Sequence, residues 1–221
     1  MHYLKNPFDM NPLGERRTPQ QEALFTRFFG DTKRHAVIHG PGCGTSIAAI
    51  AIGVANILDR GRETILVVPT QYHALKSINE EYSQRVVCHG HKVVAKDTGV
   101  SLQVIPYTGL TREFTTGIEW GSVDLIIDGT WAYVNDEQQL FDAIDALQPE
   151  RLMTFDSACH KQYGSGRNHP AISVIERYKC EVVNLSSLES PLIAPDGLQA
   201  LKRHAVRRGY DVEKYLAGEM F

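Results

Sequence analysis

The sequence predicts a three-layer α/β fold, a mostly parallel β-sheet with helices on both faces. Short continuous apolar runs, the mark of strands covered on both sides, alternate along the chain with segments of helical periodicity. In addition, 221 residues with 43% apolar and 9% aromatic content suffice for one well-buried core and are too few for two ordinary domains. A chain this apolar can offset its ordering entropy, which excludes a disordered or low-complexity polypeptide.

Taken in order, residues 1–16 hold two prolines, two asparagines and no apolar periodicity, and are read as a leader strapped over the surface. A helix fits Pro19 to Phe29, with proline in its first turn and Ala23, Leu24 and Phe28 as its stripe. Beyond Gly30-Asp31, the short strand Ala36–His39 runs straight into Gly40-Pro41-Gly42-Cys43-Gly44-Thr45-Ser46. From there to Arg60, Ile47, Ile50, Ala51, Val54, Ile57 and Leu58 recur at helical spacing, as in a helix packed against a sheet. Further strands are expected at 64–68, 101–105, 123–127, 151–155 and 180–185, and helices at 71–82, 137–147 and 170–178. Residues 196–221 read as one or two helices, a tail distinct from the lobe at 17–195, and Gly164–His169 as a mobile loop.

Charge and cysteine content narrow the function classes. Twenty-three Lys and Arg against 26 Asp and Glu give a net charge of -3, so any polyanion site must be local. No apolar stretch approaches the ~20 residues that span a bilayer, and the first residues lack the apolar region of a secretory signal. Both features point to a soluble, intracellular (cytoplasmic) protein with no membrane partner. Cys43, Cys88, Cys159 and Cys180 are widely spaced with no CxxC pair, which suits buried thiols in a reducing compartment. Cys88-His89-Gly90-His91 matches no common zinc spacing, and a second ligand pair would have to come from elsewhere, such as Cys159 and His160.

A strand, a glycine-rich turn and a helix in direct succession are the physical recipe for holding a phosphate. Glycines let backbone N–H groups converge, and the helix N-terminus adds positive potential. Gly40–Ser46 fits that context, with Gly42, Cys43, Gly44, Thr45 and Ser46 as candidate phosphate contacts. The usual pattern has lysine before the Ser or Thr, and here that position is Thr45. A hydroxyl there leaves backbone amides and Mg²⁺ to answer the phosphate charge. The alternative is a bare turn without a ligand. Cys43 is read as a small residue tolerated in the loop, its thiol pKa lowered by the helix N-terminus.

The order of segments over residues 16–192 resembles the first RecA-like lobe of superfamily 2 helicases, of the DEAD/DEAH type and closest to type III restriction helicase subunits. Arg17-Thr18-Pro19-Gln20-Gln21-Glu22-Ala23-Leu24 is similar to the family's opening segment, which makes Gln20 the residue that reads adenine. Gly42–Ser46 corresponds to motif I and Val67-Val68-Pro69-Thr70-Gln71 to motif Ia. Tyr107-Thr108-Gly109 and Leu125-Ile126-Ile127-Asp128-Gly129-Thr130 fall where the family has turns that contact nucleic-acid phosphates, and so imply Thr70, Thr108, Gly109 and Thr130 as nucleic-acid contacts. Leu152–His160 is similar to a motif II strand followed by Asp-Glu-Ala-His, which makes Asp156 the Mg²⁺-orienting carboxylate, acting with Ser46, and puts Ser157 at the general-base position. Val182–Pro191 is similar to a strand leading into motif III. A rival alignment takes Val123–Asp128 as the Mg²⁺ strand; order and spacing relative to Ser186 favour Asp156.

The departures from the family fall on hydrolysis. The loop lysine is Thr45, the motif II glutamate is Ser157, and motif III reads Ser-Ser-Leu. Serine cannot accept a proton from water near neutral pH as a tuned carboxylate does. The resemblance therefore implies a degenerate ATP-binding lobe with weak ATP and Mg²⁺ binding and little or no ATPase activity, acting through nucleic acid or a partner. Its alternatives are a competent half-site completed by a second helicase-lobe subunit, and a protein-binding decoy. The basic cluster Lys202, Arg203, Arg207 and Arg208, with Lys161 and Arg167, is either a phosphate-contacting surface or a solvated helix face.

Overall fold

The computed structural model describes residues 18–116, 118, 119, 121–133, 136–158 and 169–220. The expected leader, Arg17, Cys159, His160, Lys161, Arg167 and all of the expected mobile loop but His169 lie outside the described residues.

The first helix, α1 (Pro19–Phe29), begins with a reciprocal cap. The Thr18 hydroxyl accepts from the Gln21 amide at 3.1 Å, and the Gln21 side chain accepts from the Thr18 amide at 3.0 Å. Then follow β1 (Arg34–His39), α2 (Thr45–Asp59), β2 (Glu63–Val68), α3 (Gln71–Tyr82), β3 (Val86–His89), β4 (Lys92–Ala95), β5 (Ser101–Pro106) and the single turn α4 (Arg112–Thr115). The rest is β6 (Val123–Asp128), α5 (Glu137–Leu147), β7 (Leu152–Ser157), α6 (Pro170–Tyr178), β8 (Glu181–Leu185), α7 (Pro195–Arg208) and α8 (Val212–Ala217). The strands form one sheet in the order β3-β4-β5-β2-β6-β7-β1-β8. All pairs from β5 to β8 are parallel, and the β3–β4 hairpin adds an antiparallel edge.

Alternation along each strand divides the core into two layers. Val37, Ile126, Met153 and Phe155 pack with α1, α2 and α3, whereas Ala36, Leu125, Ile127 and Leu152 pack with α5 and α6. The register decides which strand-end side chains share a face. Asp128 stands opposite Phe155, which stands opposite Val37, and Ser157 stands opposite His39. Asp128, Ser157 and His39 are therefore on the α2 face. Asp156, in register with Ile38, is on the other.

The C-terminal helices close over the end of β1. Gly218, at φ +73°, ends α8 where an added Cβ would meet Leu185 O and lie 3.0 Å from Gly40 N. Met220 joins Ile38, Ala158, Ala171 and Ile172 in a small apolar cluster. No helix among the described residues is long and apolar enough to cross a membrane.

Candidate functional site

The glycine-rich turn leaves β1 and enters α2 through two residues in the left-handed region, Gly42 at φ +79° and Gly44 at φ +71°. The positive φ disfavours a side chain at both, and the side chains of neighbouring segments close in on them. A Cβ on Gly42 would lie 2.8 Å from Ile193 Cδ1, and one on Gly44 would lie 2.7 Å from Gln21 Nε2. The turn is held from outside by the segment after β8. Ser187 Oγ donates to Pro41 O at 2.7 Å and Ser190 Oγ to Gly42 O at 3.2 Å. Gln20 Nε2 donates to Ser186 O at 2.9 Å, and its buried Oε1 has no partner. The segment expected to be motif III thus runs off an edge strand and braces the loop.

The amides of the first turn of α2 have no intrahelical acceptor, which makes this helix start a ready anion site. Ser46, exposed on that turn, has its hydroxyl close enough to the carboxylate of Asp128, buried at the end of β6, to lower that group's pKa. Burial pushes the Asp128 pKa up to about 6, and the Ser46 hydroxyl holds it from rising further. The helix lies across β2, β5 and β6, which is how a residue of its first turn meets a strand two places from β1.

Asp156 does not join them. It points to the opposite face, where Oδ1 accepts from Thr130 N at 2.7 Å and Thr130 Oγ1 at 2.9 Å. It is fully buried, its pKa is raised to about 8 by desolvation, and it caps the turn after β6. The expected Ser46–Asp156 pairing is corrected to Ser46–Asp128, because strand-end residues one step out of phase face opposite layers. Thr130 is corrected too, since its hydroxyl is buried and committed to Asp156. Ser157 lies on the α2 face, beside His39 in register.

Thr45 is buried, and its Oγ1 lies 3.2 Å from His39 Nε2. His39 Nδ1 lies 2.9 Å from Gly40 O. A carbonyl only accepts, so Nδ1 carries the proton and Nε2 accepts from the Thr45 hydroxyl. Cys43 is buried with Sγ 3.6 Å from Leu185 O, and desolvation pushes its thiol up to about 11, opposite to the lowering expected at a helix start. Thr70 and Thr108 are exposed just beyond the neighbouring strands β2 and β5, with Gly109 half-buried beside Thr108. Next to Thr70, Tyr72 is 69% exposed. The basic residues Arg203, Arg207 and Arg208 are exposed on α7. No group of three or more metal-ligating His, Cys, Asp or Glu side chains comes together among the described residues.

Sequence reasoning passed over His39 and Tyr72. The histidine ends an apolar strand and belongs to no motif. Only the absence of lysine at 45 could have prompted a search for another polar group near the loop.

Neither a protein family nor a curated protein matches the sequence. Among solved structures, the large terminase ATPase domain of a Thermus phage superposes with a TM-score of 0.61 at 10% identity, over 94% of this chain and 95% of that one. The large terminase of a thermophilic bacteriophage, in complex with ADP, gives 0.55 at 11% identity over 84% of this chain and 49% of that one. The chain has a RecA-like α/β fold. At such identity the likeness is one of architecture, which in this chain is a mostly parallel sheet between helical layers.

Proposed function

We propose that this chain is a nucleotide-binding, helicase-like RecA lobe that hydrolyses ATP poorly and acts through nucleic acid or a partner chain. The observation that carries the reading is the pairing of Ser46 with Asp128 at the mouth of the glycine loop. One hydroxyl and one carboxylate suit Mg²⁺, which takes few protein ligands and completes its shell with phosphate oxygens and water. Bound there, the ion would neutralise phosphate charge. The loop amides and the α2 N-terminus would seat the phosphates, and the unpartnered Gln20 Oε1 would accept from an exocyclic amino group such as adenine's.

Poor hydrolysis follows from what surrounds Asp128. The family's glutamate follows the Mg²⁺ aspartate directly, and here that residue is Gly129. Gly129 has φ +104°, and a Cβ would lie 2.5 Å from Trp131 Nε1 and 2.6 Å from the Tyr107 hydroxyl. No carboxylate can stand there to take a proton from water. The other strand-end carboxylate, Asp156, faces away. Exposed Thr70, Tyr72 and Thr108 offer hydroxyls and one stacking ring at the same end of the sheet, which suits contact with single-stranded nucleic acid.

The test is thermal unfolding with ADP and Mg²⁺. At ten times Kd, binding adds about 1.4 kcal/mol, a rise of roughly 3–5 °C for a chain of this size. Ser46→Ala and Asp128→Asn should abolish the rise, and EDTA should abolish it in the unaltered chain. No rise at millimolar ADP–Mg²⁺ defeats the nucleotide reading. Steady multiple-turnover ATP hydrolysis defeats the claim of poor catalysis.

A further inference from the structure

The loop's hydrogen bonds and close packing contacts described above include no lysine or arginine. The side chain under it that can become a cation is His39. We propose that His39 supplies the charge the loop lacks at position 45, taking up a proton when a phosphate-bearing ligand binds, so that affinity rises as pH falls. The inference rests on the nucleotide reading above and adds a residue and a pH dependence to it.

The geometry supports this in three ways. His39 ends the strand that feeds the loop and is half-buried, on the same face as Asp128 and α2. Its ring is tethered at both nitrogens, by Gly40 O at 2.9 Å and Thr45 Oγ1 at 3.2 Å, and so is fixed beside the helix start. The Thr45 hydroxyl can also reverse its role. It donates to a neutral ring and accepts from a protonated one, so imidazolium needs no rearrangement of either side chain.

The neighbours determine the sign. Without ligand, burial lowers the His39 pKa from its ordinary value, so the free site holds a neutral ring near pH 7. An incoming phosphate is an opposite charge and raises it. Flanking His39 in the sheet are Ser157 on β7 and Leu185 on β8, neither charged. Gln20 and Gln21 of α1 are uncharged, and the Cys43 thiol, at about 11, stays neutral. On the outer side of Gly40 lie the backbone carbonyls of Tyr215 and Leu216 from α8. At this end of the same face the titrating carboxyl is Asp128, since Asp124 stands at the other end of β6. At about 6 it protonates as pH falls and weakens Mg²⁺ binding, opposite in sign to His39. The positive end of α2 also disfavours imidazolium until an anion is present.

The experiment titrates ADP–Mg²⁺ binding from pH 5.5 to 8.5 by calorimetry in the full chain and in His39→Gln. Both share the titrations of Asp128 and of the ligand phosphate, so their difference isolates the imidazole. Relative to His39→Gln, the unaltered chain should gain affinity by up to about tenfold per pH unit between the free and bound pKa values. It should also take up close to one proton per ligand in buffers of different ionisation heat. A second readout needs no variant: ¹⁵N resonances of the His39 ring should move from the Nδ1–H tautomer to imidazolium on adding ADP–Mg²⁺ at pH 7. Parallel pH curves for the two proteins, or a ring that stays neutral when saturated, overturn the role of His39 and leave nucleotide binding intact. Absence of binding at every pH overturns the nucleotide reading and this inference with it.

Discussion

Asp124 and Asp128 stand on one strand and face one layer, and both are buried, yet the two ends of β6 treat them differently. At the entry end Asp124 is enclosed. Asn56 Nδ2 donates to Oδ2 at 2.8 Å, the Arg151 amide donates to Oδ1 at 3.1 Å, and the Arg62 guanidinium lies 3.7 Å away. At the exit end Asp128 meets the exposed hydroxyl of Ser46 beside a glycine turn and a helix start. Asp124 is surrounded by donors, whereas Asp128 has the Ser46 hydroxyl beside it and 7% of its surface exposed. The exit end is the carboxyl end of a parallel sheet, where strands hand over to loops and ligands commonly bind.

The largest effect expected from breaking this contrast comes at Gly129. Its positive φ and the Trp131 and Tyr107 atoms around it leave no room for a side chain. Gly129→Glu should cost about 4 kcal/mol or more, read as a lower urea midpoint, and should not restore hydrolysis. A stable variant with ATPase activity would show that the exit end can hold a general base after all. Next is Asp124→Ala, which strands Asn56 and the Arg151 amide and should cost about 3 kcal/mol. Asp128→Asn is its counterpart and should change the stability of the ligand-free protein by no more than about 1 kcal/mol, while removing the thermal response to ADP–Mg²⁺. If the two substitutions cost the same, the distinction between the two carboxylates fails.

Much of the architecture was legible because it rests on periodicity. α1, α3, α5 and α6 have the bounds that their apolar spacing and start signals indicate, 19–29, 71–82, 137–147 and 170–178. The β3–β4 hairpin was not legible. Each strand has four residues, the turn is His89-Gly90-His91-Lys92 without an Asn-Gly or Asp-Gly signal, and the apolar runs Val86-Val87-Cys88 and Val93-Val94-Ala95 are short. The site was half legible. The loop could be located from its glycines, but the choice between Asp128 and Asp156 could not be made from apolar runs that each end in aspartate. It depends on register between strands, and a shift of one residue moves a side chain to the other face. His39 was hidden for a different reason: its partner Thr45 lies across a turn whose course two positive-φ glycines set.

A pH dependence sharpens the comparison at a third carboxyl. Desolvation raises the Asp156 pKa to about 8, far above the ordinary aspartate value, so the folded chain keeps a proton there that the unfolded chain gives up near pH 4. Its contribution to stability is therefore complete below about pH 4 and is lost as pH rises towards 8, with a slope no steeper than about 1.4 kcal/mol per pH unit. An asparagine amide mimics the protonated acid, and its carbonyl can still accept from Thr130 N and Oγ1. Urea midpoints of Asp156→Asn and the unaltered chain should coincide near pH 4 and separate gradually towards pH 8, the variant becoming the more stable. The thermal response to ADP–Mg²⁺ should be kept throughout, because this carboxyl lies on the face away from Ser46. Loss of that response in Asp156→Asn, with Asp128→Asn retaining it, would reverse the assignment of the two strand ends.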